Sequence, residues 1–375
     1  MSATQTSYES GRNLALDGVR GLAAFSVLFS HFSPQNSIWW AFQYGKIGVI
    51  VFFILSGYLI VSILLNGRNN IESGTPLREI WKGFYLRRAL RIFPLYYGVI
   101  IFFCLIGYQN IIDNFWWHAT FTSNLGSSLF SVNFDNLSHF WSICIEEQFY
   151  LVIPAVVLCL PKDKSFKILC TAFLASMAFK LYAAGIPNNS AFLARLPISN
   201  AEGISYGALI AYAAHSRTAK NILSFVTKWI TPVAVVLFLA MSTYRFFVRV
   251  PAYETYMNIA LMDLFIAISF GHIIAMLVKK PASGCLGKIL STRLLVYMGT
   301  VSYGTYIYHY ALFPYYAKWF QMLSIERGTT AAVVFMFATS YFLATVSWFA
   351  LEKPILSLKK YISAKKPHRL SPRTS

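Results

Sequence analysis

The chain has 375 residues, of which 57% are hydrophobic, 17% aromatic and 12% charged, with a mean hydropathy of +0.53. A soluble domain carries about 25% charged residues, so this composition excludes a chain solvated mainly by water and points to lipid as its main solvent. The net charge of +18 would fit a nucleic-acid binder, but Lys and Arg of membrane proteins collect in cytoplasmic segments, and no nucleic-acid motif is present.

The first dozen residues are polar, and the first apolar stretch holds Asp17 and Arg20 with no small-residue cleavage site behind it, so a removable signal peptide is not expected. Apolar runs near the bilayer-crossing length of about 20 residues then recur along the whole chain. They predict an all-α, polytopic transmembrane bundle of about ten spanning helices, at residues 14–32, 47–65, 92–108, 144–160, 168–185, 198–214, 229–248, 256–278, 295–317 and 329–350. With the N-terminus inside, the clusters Arg68 to Arg91, Lys162 to Lys167, Lys279 to Arg293 and Lys353 to Arg373 all face the cytoplasm, as do both termini. The fairly apolar stretch 115–130 lies in a segment without Lys or Arg and reads as a lumenal or re-entrant element. The expected organisation is one membrane domain over 1–375, with a short cytoplasmic start (1–13), a basic cytoplasmic tail (353–375) and no appended soluble domain. Gly203 and Gly207, four apart in an apolar run, mark close helix packing. The five cysteines (Cys104, Cys144, Cys159, Cys170, Cys285) have no metal-ligand spacing, so neither disulfides nor a metal are expected.

Ionisable groups inside a bilayer cost roughly 2.5–3.5 kcal/mol each on insertion scales, which makes each a functional candidate. The first span, L-D-G-V-R-G-L-A-A-F-S-V-L-F-S-H-F, places Arg20 near its cytoplasmic end and His31 near the other. They stand about 16 Å apart along the helix, roughly half the hydrocarbon thickness. An anchor on one side and a base on the other suit group transfer across a membrane; the plainer account is an Asp17–Arg20 pair with His31 wet at the interface.

In F-Y-L-R-R-A-L-R-I-F-P-L-Y-Y, Arg88 and Arg91 share a helix face beside Arg87, and the cluster is placed at the N-terminus of the third span, where helix dipole and guanidinium groups together favour phosphate. In H-F-W-S-I-C-I-E-E-Q-F-Y, Glu146 and Glu147 enter an apolar span. One of them is expected to orient a catalytic imidazole by a hydrogen bond and the other to face water or an acceptor hydroxyl; the plainer account is a helix start complementing its dipole. His309, in V-S-Y-G-T-Y-I-Y-H-Y with Ser302, Tyr303 and Tyr306 nearby, is placed to line a polar cavity, the plainer account being a satisfied core histidine, and Glu352, in L-E-K-P, reads as the partner of a cytoplasmic Arg. No phosphate-binding glycine loop, zinc-protease helix or G-x-S-x-G elbow occurs.

Taken in order over nearly the whole chain, these blocks, with G-V-I-V-F-F-I-L-S-G-Y-L-I between the first two, resemble the acyltransferase family 3 of membrane proteins. The resemblance implies a multi-pass enzyme of the bacterial cytoplasmic (inner) membrane that O-acylates a lipid-linked or exported carbohydrate, with acyl-CoA, commonly acetyl-CoA, as co-substrate. The family's Arg-x10-His feature falls on Arg20 and His31, Arg-x-x-Arg on Arg88 and Arg91, and Ser-x-x-x-Glu on Ser142 and Glu146; Cys144 stands where many members have serine. The site expected from residues and resemblance together has His31 as general base with Glu146 and Glu147, and Arg20, Arg88 and Arg91 on the donor. Direct transfer and an acyl-His31 intermediate both remain open, as does the oligomeric state. Readings of another class are a transporter or flippase for an anionic glycolipid, which lacks the expected pair of Gly/Pro-broken helices, and a non-catalytic part of a polysaccharide-export complex.

Overall fold

The computed structural model describes residues 12–33, 42–184, 186, 193–248, 255–280 and 284–361. The parts of the expected start (1–11) and basic tail (362–375) beyond these lie outside the described residues. Among those described the chain is all-helical: α1 Leu14–Phe32, α2 Tyr44–Glu72, α3 Leu77–Leu105, α4 Gln109–Asp113, α5 Phe115–Ala119, α6 Ser123–Leu129, α7 Trp141–Pro154, α8 Lys162–Ala184, α9 Ala201–Tyr212, α10 Arg217–Phe225, α11 Thr231–Val248, α12 Thr255–Lys279, α13 Gly284–Leu290, α14 Arg293–Ala311, α15 Phe313–Met322, α16 Thr330–Ser347 and α17 Lys353–Ser357. A backbone in lipid has no water to satisfy its N–H and C=O groups, so apolar runs of this length fold as helices.

Among the described residues, seven helical segments are long and apolar enough to cross a membrane: 44–72, 77–105, 135–159, 162–184, 217–247, 260–279 and 330–361. The other three expected spans fall on α1, α9 and α14, with the last running on into α15. At 12 residues, α9 is about 18 Å long, short of the ~30 Å hydrocarbon core. Both α1 and α14 carry polar groups that face the protein interior rather than lipid. The stretch 115–130 forms two short helices of five and seven residues, neither long enough to cross. It is tied to the bundle by Tyr96 Oη donating to the carbonyl of His118 (2.9 Å) and Tyr97 Oη to that of Ala119 (2.8 Å).

Side chains such as Leu151, Leu174, Leu294 and Phe342 are exposed on the outer helix faces, while Tyr96, Tyr212, Phe53, Phe84 and Phe140 are fully buried. Lipid is as apolar as leucine, so helix association here depends on close packing and hydrogen bonds. Glycines set the closest approaches, two of which bear on the site and on the expected packing. A Cβ on Gly299 of α14 would lie 1.9 Å from the carbonyl oxygen of Asp17 on α1, and one on Gly207 of α9 would lie 2.0 Å from that of Ile54 on α2. The first contact clamps α1 along α14; the second is the close packing expected around Gly203 and Gly207.

The third helix begins at Leu77 and not near residue 92, so Arg88 and Arg91 sit well inside it. Their backbone N–H groups are already used within the helix, which corrects the expectation of an anion site aided by a helix N-terminus. Only the guanidinium groups remain to attract an anion.

Candidate functional site

Two cavities lie back to back in the bundle, with Val49 and Tyr306 in the walls of both. The first, of about 400 Å³, is lined by Arg12, Arg20, Arg88, Arg91 and Lys359 against the carboxylates of Asp17 and Glu146. Asp17 is shared: Arg12 Nε donates to Oδ2 at 2.5 Å and Arg20 Nη1 to Oδ1 at 2.9 Å. The Asp17–Arg20 pair of the plainer account is therefore real, yet it sits in the cavity wall. Arg91 stands between the rings of Tyr303 (5.8 Å) and Trp348 (5.7 Å), with Glu352 Oε2 3.9 Å away. Arg88 lies over the Tyr150 ring at 5.9 Å; among the described residues no carboxylate lies within 4 Å of it, and its buried Nε has no hydrogen-bond partner. Such a guanidinium presents unused donors in a fork that fits phosphate oxygens.

Glu146 accepts hydrogen bonds from Ser56 Oγ (2.7 Å) and Tyr150 Oη (3.3 Å). Ser142 Oγ pairs with Tyr306 Oη at 2.6 Å, and Tyr306 also donates to the carbonyl of His139 at 2.9 Å. Adjacent residues on a helix point about 100° apart, and Glu147 lies outside the lining of either cavity, with a buried Oε1 that has no partner. Cys144 also turns away, buried with its Sγ 3.1 Å from Ser123 Oγ.

The second cavity, of about 420 Å³, contains His31. The expected carboxylate does not orient its ring. His31 Nδ1 lies 2.8 Å from His309 Nε2, the two rings stack at 5.0 Å, and His309 Nδ1 lies 2.6 Å from the carbonyl oxygen of Tyr306. A carbonyl only accepts, so His309 carries its proton on Nδ1 and offers the Nε2 lone pair to His31 Nδ1–H. With both rings neutral, the lone pair of His31 is left on Nε2. His139 completes the group, its ring 4.9 Å from that of His309 and its Nε2 3.2 Å from the carbonyl of Ile307. Both nitrogens of His309 are thus committed, and among the described residues no group of three His, Cys, Asp or Glu is placed to hold a metal.

In the sequence His309 reads as structural and His139 carries no assigned role, although both lie in the quoted blocks. A buried ionic network beside His31 is a further feature absent from the sequence expectations. Lys46 and Lys180 reach Asp263 at 2.8 and 2.6 Å, Lys180 also pairs with Glu202, and Ser176 Oγ donates to Glu202 Oε2 at 2.5 Å. The insertion cost of charge, applied to Glu202 and Asp263 as it was to Arg20, would have found them.

The chain spans about half the length of the curated relatives it matches. It is 28% identical over 370 residues to the peptidoglycan O-acetyltransferase of Listeria monocytogenes, covering 91% of this chain and 55% of that protein. It is 28% identical over 366 residues to a putative peptidoglycan O-acetyltransferase of Bacillus subtilis, covering 91% and 54%. Against a putative O-acetyltransferase of Staphylococcus aureus it is 25% identical over 340 residues, covering 83% and 52%. No solved structure matches. The family model described as an acyltransferase domain matches residues 13–349, a range that takes in both cavities except Arg12 and Lys359, and the chain belongs to that family, the membrane acyltransferases of family 3.

Proposed function

We propose that the chain moves an acyl group, acetyl in the first instance, from cytoplasmic acyl-CoA to a hydroxyl of a lipid-linked or exported carbohydrate at the bacterial cytoplasmic membrane. The observation that carries this reading is the pair of adjoining cavities: an arginine-rich one with an excess of positive charge, and one holding His31, divided by Tyr306 and Val49. The donor's phosphates rest on Arg88, Arg91 and Arg20, and its thioester arm passes Tyr306 toward His31. In this topology α1 and α14 cross with the seven longer segments, and α9 together with the turn Ile198–Asn200 that leads into it makes the tenth crossing, in one membrane domain with both termini cytoplasmic.

His31 Nε2 takes the proton of the acceptor hydroxyl as its oxygen bonds to the acyl carbon. The carbon–sulfur bond then breaks, and the departing thiolate takes the proton from His31. General-base catalysis of this kind contributes typically 10²–10⁴-fold. Glu146 acts on the donor side, where Ser56 and Tyr150 hold it, and Glu147 shapes the field around Arg88. Holding both substrates across a short wall converts the encounter into an intramolecular one.

The test uses purified full-length protein in nanodiscs with radiolabelled acetyl-CoA. Wild type consumes donor and labels glycan, which a flippase or scaffold does not do. His31→Ala is expected to lose at least 100-fold in transfer at unchanged membrane expression; activity near wild type would overturn the assignment.

A further inference from the structure

The His31 cavity has a charge pattern of its own. Lys46, Lys180, Asp263, Arg195, Asn200, Ser199, Ser30, Trp141 and Tyr310 line it together with His31. Two of its cations are already balanced, since Lys46 and Lys180 share Asp263, and Glu202 closes the network from behind Lys180. Two lysines and two carboxylates leave no net charge. Arg195 is the remainder: among the described residues, no carboxylate lies within 4 Å of its side chain and no hydrogen bond engages its guanidinium. The half-buried Arg195 enters from the turn between α8 and α9, at the wall that holds Tyr306 and Tyr310.

An uncompensated guanidinium in a cavity favours an anion, bidentate if the anion is a carboxylate or phosphate. A single negative charge balances the one unpaired cation, whereas a doubly charged phosphate would find no second free cation, since Lys46 and Lys180 are held by Asp263 and Glu202. The lining that includes Arg195 also supplies the aromatic side chains of Trp141 and Tyr310 and the polar residues Ser30, Ser199 and Asn200, a mixture that suits a sugar ring with its hydroxyls.

We propose that this cavity takes an acceptor sugar bearing a carboxylate, and that Arg195 is the residue that selects it. The proposal rests on the acyltransferase reading for the identity of the cavity as the acceptor site. Arg195 holds the carboxylate and so places a neighbouring hydroxyl against His31 Nε2; it touches neither the acyl group nor the donor.

The experiment is saturation-transfer NMR on the full chain in nanodiscs, with no donor present, using cellobiouronic acid and its neutral counterpart cellobiose as probes. Wild type is expected to give a signal with the acid at least tenfold stronger than with cellobiose, reduced by 0.5 M salt. In Arg195→Gln the preference should collapse to less than threefold, and Arg195→Lys, which keeps the charge and loses the fork, should recover part of it. Equal signals from both sugars, no signal from either, or an unchanged preference in Arg195→Gln would overturn the proposal. Binding is read without chemistry, so a His31→Ala protein that still transferred acetyl groups would overturn the role of His31 and leave the sugar preference standing.

Discussion

His31 Nδ1 lies 2.8 Å from His309 Nε2, joining two residues 278 positions apart in the chain. The contact exists because α1 and α14 are clamped together at Gly299, and it has a chemical consequence. The carbonyl of Tyr306 fixes the proton of His309, His309 fixes that of His31, and the lone pair of His31, a residue of the cavity wall, is left on Nε2. A histidine that sequence reasoning placed in the core thus sets the tautomer of the proposed base.

Replacing His309 with Ala removes that constraint without touching either proposed substrate. One neutral hydrogen bond is worth about 1 kcal/mol, so acetyl transfer should fall roughly five- to tenfold through kcat, with donor affinity unchanged. His309→Gln, which offers an amide oxygen to His31 Nδ1–H, should recover part of the rate. Steady-state kinetics with acetyl-CoA varied checks this; a rise in donor KM at constant kcat would assign His309 to packing instead.

Arg88 and Arg91 should separate in mutagenesis although they share a motif. Arg88 has no carboxylate partner, so Arg88→Ala is expected to weaken donor binding by 10- to 100-fold, the value of a charge-assisted hydrogen bond of about 1.5–3 kcal/mol, with little change in stability. Arg91 faces the buried Glu352, so Arg91→Ala strands a carboxylate and should lower stability as well. Arg91→Ala combined with Glu352→Gln should then regain stability but not donor affinity. Isothermal titration with CoA and thermal unfolding monitored by size exclusion read the two effects, and equal donor affinity in Arg88→Ala would contradict the assignment.

Two glycine substitutions test the clamp. In Gly299→Ala the new methyl meets the Asp17 carbonyl at 1.9 Å, an overpacking that costs about 1–3 kcal/mol. It should also spread α1 from α14 and reduce acetyl transfer. Gly98 lies in α3 with nothing within 4 Å of an added Cβ, and Gly98→Ala should stabilise the helix by about 0.5–1 kcal/mol. Melting of the two variants in detergent should shift in opposite directions; similar shifts would show that the contact at Gly299 is not tight.

Much was legible along the chain because the bilayer makes a one-dimensional demand. A backbone without water must be helical, so the apolar runs gave the all-α class and nearly every long helix, and the cost of burying charge singled out Arg20, His31, Arg88, Arg91, Glu146 and Glu147. Four of these six line the arginine cavity and His31 lines the other. The tertiary structure decided what depends on which helix faces which. It turned Glu147 away from both cavities, put His309 in the place expected of a carboxylate, and brought Lys359, from the segment read as a basic tail, into the arginine cavity. It also gathered Lys46, Lys180, Glu202 and Asp263 from four helices into one network. Hydropathy reports how each residue meets lipid, and it carries no information about a side chain's neighbour on another helix.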